Sequence, residues 1–214
     1  MIAFDRAEAL RYLGYRGAPP DAAVLDRLER CAAELQQVAQ PRSIDRAFDL
    51  AHPAADTVAF GGVTMHSKNL ARTLKGCTRI HLMAVTLGVG VDRLIARASA
   101  VRVSDAVLCQ AVAAAMVEHC CDEVNDTIRQ AAAQEGLYCR PRFSPGYGDL
   151  AIEHQRDLCH LLDTPRRIGL TVTESCLLAP IKSVTAVIGL SETPQPCHRQ
   201  GCEACDKLDC AFRR

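Results

Sequence analysis

Ser104-Asp-Ala-Val-Leu-Cys-Gln-Ala-Val-Ala-Ala-Ala-Met-Val-Glu118 is the stretch whose reading decides the fold. Ser104 stands where a helix cap belongs, and the residues after it are apolar nearly all round. A helix without a polar face is one buried inside a protein. Polar side chains return at Glu118, His119, Asp122 and Glu123, and the spacing predicts that the helix continues to about residue 133. Such a helix needs a sheet or other helices packed around it.

The flanking sequence supplies both. Runs at 79–86, 168–173 and 183–190 read as strands, and shorter runs at 44–50, 57–60 and 63–66, divided by Pro53 and Gly61-Gly62, read as small antiparallel strands. Helices are expected at 7–15, 91–98 and 153–162, and in a short piece capped by Ser67. Another begins at Asp21, carries Val24, Leu25, Leu28, Cys31, Leu35 and Val38 at helical spacing, and stops at Pro41. Strands and helices do not alternate, so the fold class is α+β. The expected architecture is a helical N-terminal part and a twisted antiparallel sheet packed with a long central helix, plus a cysteine-rich C-terminal tail. The portions divide as 1–77, 78–192 and 193–214.

Composition excludes several function classes. The 214 residues carry 25 basic and 25 acidic side chains, so no charge excess invites nucleic acid or an anionic membrane as partner. Asp5 and Arg6 precede any apolar run, which speaks against a secretory signal, and the apolar run 106–117 is shorter than the ~20 residues a bilayer span needs. The expected location is the cytoplasm, where thiols stay reduced. There, 12 cysteines do not imply a disulfide framework. Thr86-Leu-Gly-Val-Gly90 is a glycine-bearing turn after a strand, but its spacing fits neither the dinucleotide nor the Walker pattern.

Two segments carry residues that are costly without a purpose. In Arg142-Phe-Ser-Pro-Gly-Tyr-Gly-Asp149, Pro145 fixes its own φ while Gly146 and Gly148 permit close approach of backbone to a ligand. Arg142 offers a planar fork for a carboxylate, and Tyr147 a ring face and a hydroxyl. The plain alternative is a structural turn with an exposed arginine. The second segment is Gly169-Leu-Thr-Val-Thr-Glu-Ser175 followed by Pro180-Ile-Lys-Ser-Val184, whose plain alternative is a solvent-facing hairpin.

Taken together, Arg-x-x-x-Gly-Tyr, Leu-Thr-x-Thr-Glu-Ser and Pro-x-x-Ser-Val resemble, in order and spacing, the C-terminal activation domain of cobalamin-dependent methionine synthase. Ala84-Val-Thr-Leu-Gly88 and the alanine-rich helix ending at Glu118 match it too, so that the resemblance covers roughly residues 78 to 190. Tyr12-Leu-Gly-Tyr15 and Ser67-Lys-Asn-Leu70 are similar to the shorter, free-standing relatives of that domain.

The resemblance implies a protein that binds S-adenosylmethionine and takes part in the reductive reactivation of methionine synthase. There, oxidised cob(II)alamin on a partner protein gains one electron and takes the methyl group. The implied partners are a methionine synthase core or another corrinoid protein, and an electron donor such as flavodoxin or ferredoxin. The sulfonium is an activated leaving group and cob(I)alamin a strong nucleophile, so the chain's task is alignment rather than acid–base or covalent catalysis. By the resemblance, Arg142 holds the methionine carboxylate, and the backbone from Ser144 through Pro145 to Gly146 contacts the ligand. Tyr147 adds a hydroxyl or ring contact, and Glu118 a carboxylate near the ammonium or sulfonium. Glu174 and Ser183 complete the implied cofactor-binding set. One departure stands out: the relatives add an aromatic-bearing segment after the Ser-Val strand, whereas this chain has no tyrosine after Tyr147.

The tail has instead Cys197, Cys202, Cys205 and Cys210, spaced x4, x2 and x4. That pattern suits a soft metal: tetrahedral zinc, or an iron–sulfur cluster that would also deliver an electron. The other eight cysteines read as packing residues. Two further functions are compatible with the sequence: an iron–sulfur electron-transfer or redox-sensing protein, and a non-catalytic module that docks on corrinoid proteins.

Overall fold

The structure, a computed structural model, describes residues 2–15 and 20–194. The chain runs α1 (Arg6–Tyr12), α2 (Ala22–Val38), β1 (Arg42–Asp49), β2 (Ala51–Ala54), β3 (Thr57–Phe60), β4 (Val63–His66), α3 (Lys68–Thr73), β5 (Arg79–Thr86), α4 (Val89–Val101) and α5 (Val103–Gln134). It continues through β6 (Tyr138–Cys139), α6 (His154–Leu162), α7 (Thr164–Ile168), β7 (Thr171–Val172), β8 (Leu178–Ala179) and β9 (Ser183–Ser191). This is the mixed helix and antiparallel-sheet fold expected, with a long central helix.

Caps set several boundaries. Asp5 accepts from Ala7 N at 2.8 Å, and Asp21 from Ala23 N at 3.0 Å, each holding an otherwise unpaired first-turn donor. Gly61 and Gly62, both at positive φ, make the two-residue turn that joins β3 to β4.

The main sheet has the order β1-β5-β9-β6, with every neighbouring pair antiparallel. Alternation sends Met83, Val85, Ala186 and Ile188 to one face, against the apolar sides of α2, α4 and α5. Ile80, Leu82, Ala84 and Val187 face the other way, into a second core closed by α3, α6, α7 and the small sheet β2-β3-β4. Seven of the eight described cysteines are buried, the exception being the half-buried Cys139, as packing residues should be.

Two expectations need correction. Ser104 is not the cap of α5: Arg102 occupies that position, and the Ser104 hydroxyl instead accepts from Arg27 of α2 at 2.6 Å. Residues 168–173 are not one strand, because Thr164-Pro165 opens a short helix that Gly169 ends in the left-handed conformation, leaving only Thr171–Val172 extended. The apolar run 106–117 is too short for a bilayer, but α5 as a whole has the length and apolarity of a span. Of its most apolar window 56% is buried inside the protein, as suits a core helix.

Candidate functional site

The segment after β6 is a strap along the free side of β9. Arg140 N donates to Gly189 O at 2.8 Å, and Phe143 exchanges two backbone hydrogen bonds with Val187, at 2.9 and 2.8 Å. The Phe143 ring packs into the core beneath the sheet, with α3 and α6. Its neighbour Arg142 turns to the opposite side, toward α5. There Arg142 Nη1 donates to Asp122 Oδ1 at 2.7 Å and Nη2 to Glu118 Oε2 at 3.2 Å. Glu118 and Asp122 lie one turn apart on α5, so one guanidinium meets both.

This is an ion triad at the protein surface. The Arg142 side chain is 23% exposed, Glu118 36% and Asp122 65%. Burial disfavours the charge on Arg142, but its neighbours more than offset that and hold its pKa above the usual value. The neighbouring Cys121 thiol is itself pushed far up, by burial first and then by Glu118, so it is neutral at physiological pH. The two carboxylates are therefore what keeps the guanidinium in place. Tyr12 of α1 lies close enough to feel the Glu118 charge. Burial, a hydrogen bond to Glu8 and that charge keep its phenol protonated, and the Arg11 guanidinium sits 4.6 Å above its ring.

Beyond Arg142 the strap turns sharply. Tyr147 N donates to Ser144 O at 3.2 Å, Gly146 N to Leu150 O at 2.9 Å, and Leu150 N to Tyr147 O at 3.1 Å. Pro145 is buried beneath this turn, Gly146 has φ +88°, and Tyr147 is 70% exposed. A Cβ on Gly148, at φ +56°, would lie 2.5 Å from Asn69 Nδ2, so the glycine lets the strap come close against α3. Asp149 completes it: Lys68 N donates to Oδ2 at 2.8 Å, while Asn69 N, at 3.2 Å, and the Ser67 hydroxyl donate to Oδ1.

The structure thus brings Arg142 and Glu118 together and sets the Ser144–Pro145–Gly146–Tyr147 turn directly after them. It adds Asp122, which the sequence reading left out although its spacing of four from Glu118 was the available signal. Glu174 and Ser183 occupy other settings. Glu174, in the β7–β8 hairpin, gives its backbone carbonyl to Arg156. The Ser183 hydroxyl donates to Pro180 O at 2.7 Å and pairs with the Thr86 hydroxyl at 2.8 Å, at the end of the β5–β9 ladder and on the face turned away from α5. The buried Thr185 hydroxyl, on that same face, has no hydrogen-bond partner among the described residues. Cys197, Cys202, Cys205 and Cys210 lie outside the described residues, and among the described residues no group of three or more His, Cys, Asp or Glu is placed to hold a metal.

An arginine between two carboxylates, beside a glycine turn that exposes an aromatic ring, is equipped to grip a zwitterion by both signs of charge. The donor set fits an amino-acid end: a guanidinium for a carboxylate, and carboxylates for an ammonium or other cation.

Residues 70–196 match the family model described as vitamin B12 dependent methionine synthase, activation domain. The fold superposes on a solved structure described as the MetH reactivation domain bound to AdoHcy, with a TM-score of 0.67 and 17% identity, covering 90% of this chain and 75% of that one. No curated protein sequence matches the chain. The family match spans more than half of the residues and contains the Arg142 strap, the α5 carboxylates and β9: the chain belongs to the activation domain family of vitamin B12-dependent methionine synthase.

Proposed function

We propose that this chain binds S-adenosylmethionine at the Arg142 triad and presents its methyl group to cobalamin held by a partner protein, in reductive reactivation of methionine synthase. The observation that carries the reading is the Arg142 guanidinium held at 2.7 and 3.2 Å by Asp122 and Glu118, immediately before the Gly146 turn. Arg142 takes the ligand carboxylate, and Glu118 the ammonium. The backbone of Ser144, Pro145 and Gly146 lies along the ligand, with the exposed Tyr147 ring as a lid on one side. Glu174 and Ser183 stand further off and act by shaping the hairpin and ladder end. The corrin cobalt of the partner is the methyl acceptor when the two proteins meet; this chain's residues bind and orient. No proton needs to move in methyl transfer from a sulfonium, which suits a site built of ion pairs.

The partner is a methionine synthase core or another corrinoid protein, the electron comes from a flavodoxin- or ferredoxin-type donor, and the compartment is the cytoplasm. The four tail cysteines, by their spacing, are soft-metal ligands for zinc or an iron–sulfur cluster; metal analysis and an absorption spectrum after anaerobic purification decide between them, and metal-free protein removes the assignment.

The test mixes the protein, S-adenosylmethionine, a low-potential reductant and a cob(II)alamin-loaded partner, and follows methylcobalamin by its spectrum. The expected result is acceleration over the mixture lacking this protein, and Arg142→Ala weakens S-adenosylmethionine binding by roughly tenfold to a hundredfold, the worth of hydrogen bonds to a charged group. No acceleration, or unchanged affinity in the variant, overturns the reading.

A further inference from the structure

We infer that Cys31 and Cys109 form a reversible redox site: hydrogen peroxide converts the two thiols to a disulfide that clamps α2 to α5, and a dithiol reductant reopens it. The two side chains meet across the α2–α5 contact. Arg27 Nε donates to Asp105 Oδ1 at 2.9 Å, and one turn further along α2 the Cys31 thiol donates to Asp105 O at 3.8 Å. A helical carbonyl points at the amide four residues on, so a sulfur seated on Asp105 O sits beside residue 109. There the Cys31 and Cys109 thiols are hydrogen-bonded to each other. The other buried thiols are placed differently: Cys77 and Cys159 bond to Arg140 and Thr164, and burial dominates the setting of Cys120 and Cys121.

The pair is unequal in the way a redox site needs. Donation from Cys109 holds the Cys31 thiol below its ordinary pKa, with Arg27 adding to it, against burial and the charges of Asp105 and Glu34. The same bond, and burial after it, push Cys109 up, so it keeps its proton. Cys31 is also the outer member, 7% exposed against 2%, beside the partly exposed Arg27–Asp105 ion pair. The Cys31 thiolate attacks one peroxide oxygen, the O–O bond breaks, water leaves with the proton released by Cys31, and a sulfenic acid remains. The Cys109 sulfur then attacks the Cys31 sulfur, the S–O bond breaks, and the hydroxyl leaves as water with the Cys109 proton. Two electrons pass from the sulfurs to the peroxide. A dithiol returns them by thiol–disulfide exchange. The device lies in the helix layer and does not depend on the proposed ligand site.

The experiment treats the native full chain with hydrogen peroxide, unfolds it in acid with N-ethylmaleimide to block the remaining thiols, and maps its peptides without reductant. The expected product is a Cys31–Cys109 linked pair, lighter by two hydrogens, which dithiothreitol reverses. It should raise Tm by roughly 4–16 °C, as closing a long loop does in a chain of this size. In Cys109→Ala the reaction should stop at the sulfenic acid, captured on Cys31 by dimedone, whereas wild type gives no adduct there. The wild-type map decides alone if that variant does not fold. Recovery of Cys31 and Cys109 as maleimide adducts, at a peroxide dose that fully oxidises glutathione in a parallel sample, overturns the inference. So does a linked pair that leaves Tm unchanged or lowers it.

Discussion

Replacing Asp149 by alanine tests whether the turn at 144–147 is anchored to α3 through this carboxylate. The carboxylate accepts from Lys68 N at 2.8 Å, from Asn69 N at 3.2 Å and from the Ser67 hydroxyl, while Ser67 Oγ itself accepts from Leu70 N at 3.0 Å. Two side chains from distant parts of the chain therefore cap the first turn of α3 together. Removing one of them leaves two first-turn amides and a hydroxyl to water. Asp149 is exposed, so water recovers much of what is lost, and the net cost is that of a missing helix cap, about 1–2 kcal/mol. For a chain of this size that is a fall in Tm of roughly 2–8 °C.

The hydrogen bond from Ser67, joined by the backbone amides of Asn69 and Lys68, holds the Asp149 carboxyl below its ordinary pKa. A depressed folded-state pKa means that the stabilisation is complete above the unfolded value, about 4, and is lost as pH falls through the lower folded value. Thermal unfolding of wild type and Asp149→Ala should accordingly give a constant difference between pH 5 and 8 that shrinks toward pH 3 and below. Asp149→Asn, which keeps one acceptor oxygen, should fall between the two. Equal Tm values at pH 7, or a difference that widens on acidification, would refute the reasoning.

Two further perturbations test the helix layer. A Cβ on Gly90 would lie 2.4 Å from the carbonyl oxygen of Val38, a backbone atom that cannot yield without moving the end of α2; Gly90→Ala should cost about 2–4 kcal/mol, read as a lower urea midpoint. The Cys120 thiol is pushed up to about 11 by burial, so only about one molecule in a thousand is thiolate at pH 8. Iodoacetamide should leave Cys120 unmodified in the native protein and label it on unfolding, and rapid native labelling followed by peptide mapping would contradict that environment.

The elements that were legible in the sequence are those whose burial pattern is local. The unbroken apolar face after Ser104 and the spacing along 24–38 gave α5 and α2 because packing on one side forces periodicity in the chain itself. Ser104 misled, since a residue of capping type marks a helix start only if no other partner claims it, and Arg27 lies 77 positions away in sequence. The strand expected at 168–173 ignored a local signal that was present: Pro165 favours the first turn of a helix and Gly169 its end. At the site, residue types pointed to Arg142 and the Gly146 turn, and the resemblance pointed to Glu118. Asp122 was visible only as a spacing, because whether a helical carboxylate meets an arginine 20 residues later depends on how the strap lies over the sheet edge.

That strap explains why residues from both sides of the sheet matter to one small turn. Along 140–149 the chain is fastened in alternating directions. Arg140 is buried, with Nη2 on Ser191 Oγ at 3.1 Å; Arg142 is tied to α5 on one face of the sheet; and Phe143 is bridged to Val187, its ring in the core on the other face. Pro145 is buried and Asp149 is tied to α3 on that second face. Residues 144–147 are thus held at both ends, with Gly146 allowing the reversal and Tyr147 left outside. A turn fixed in this way would lose little conformational entropy on binding the proposed ligand, so contacts to Arg142 and the backbone would go into affinity rather than into ordering the loop. If the proposed site is right, the anchor at α3 and the anchor at α5 serve it together, and loosening either should weaken S-adenosylmethionine binding even where the loosened residue never touches the ligand.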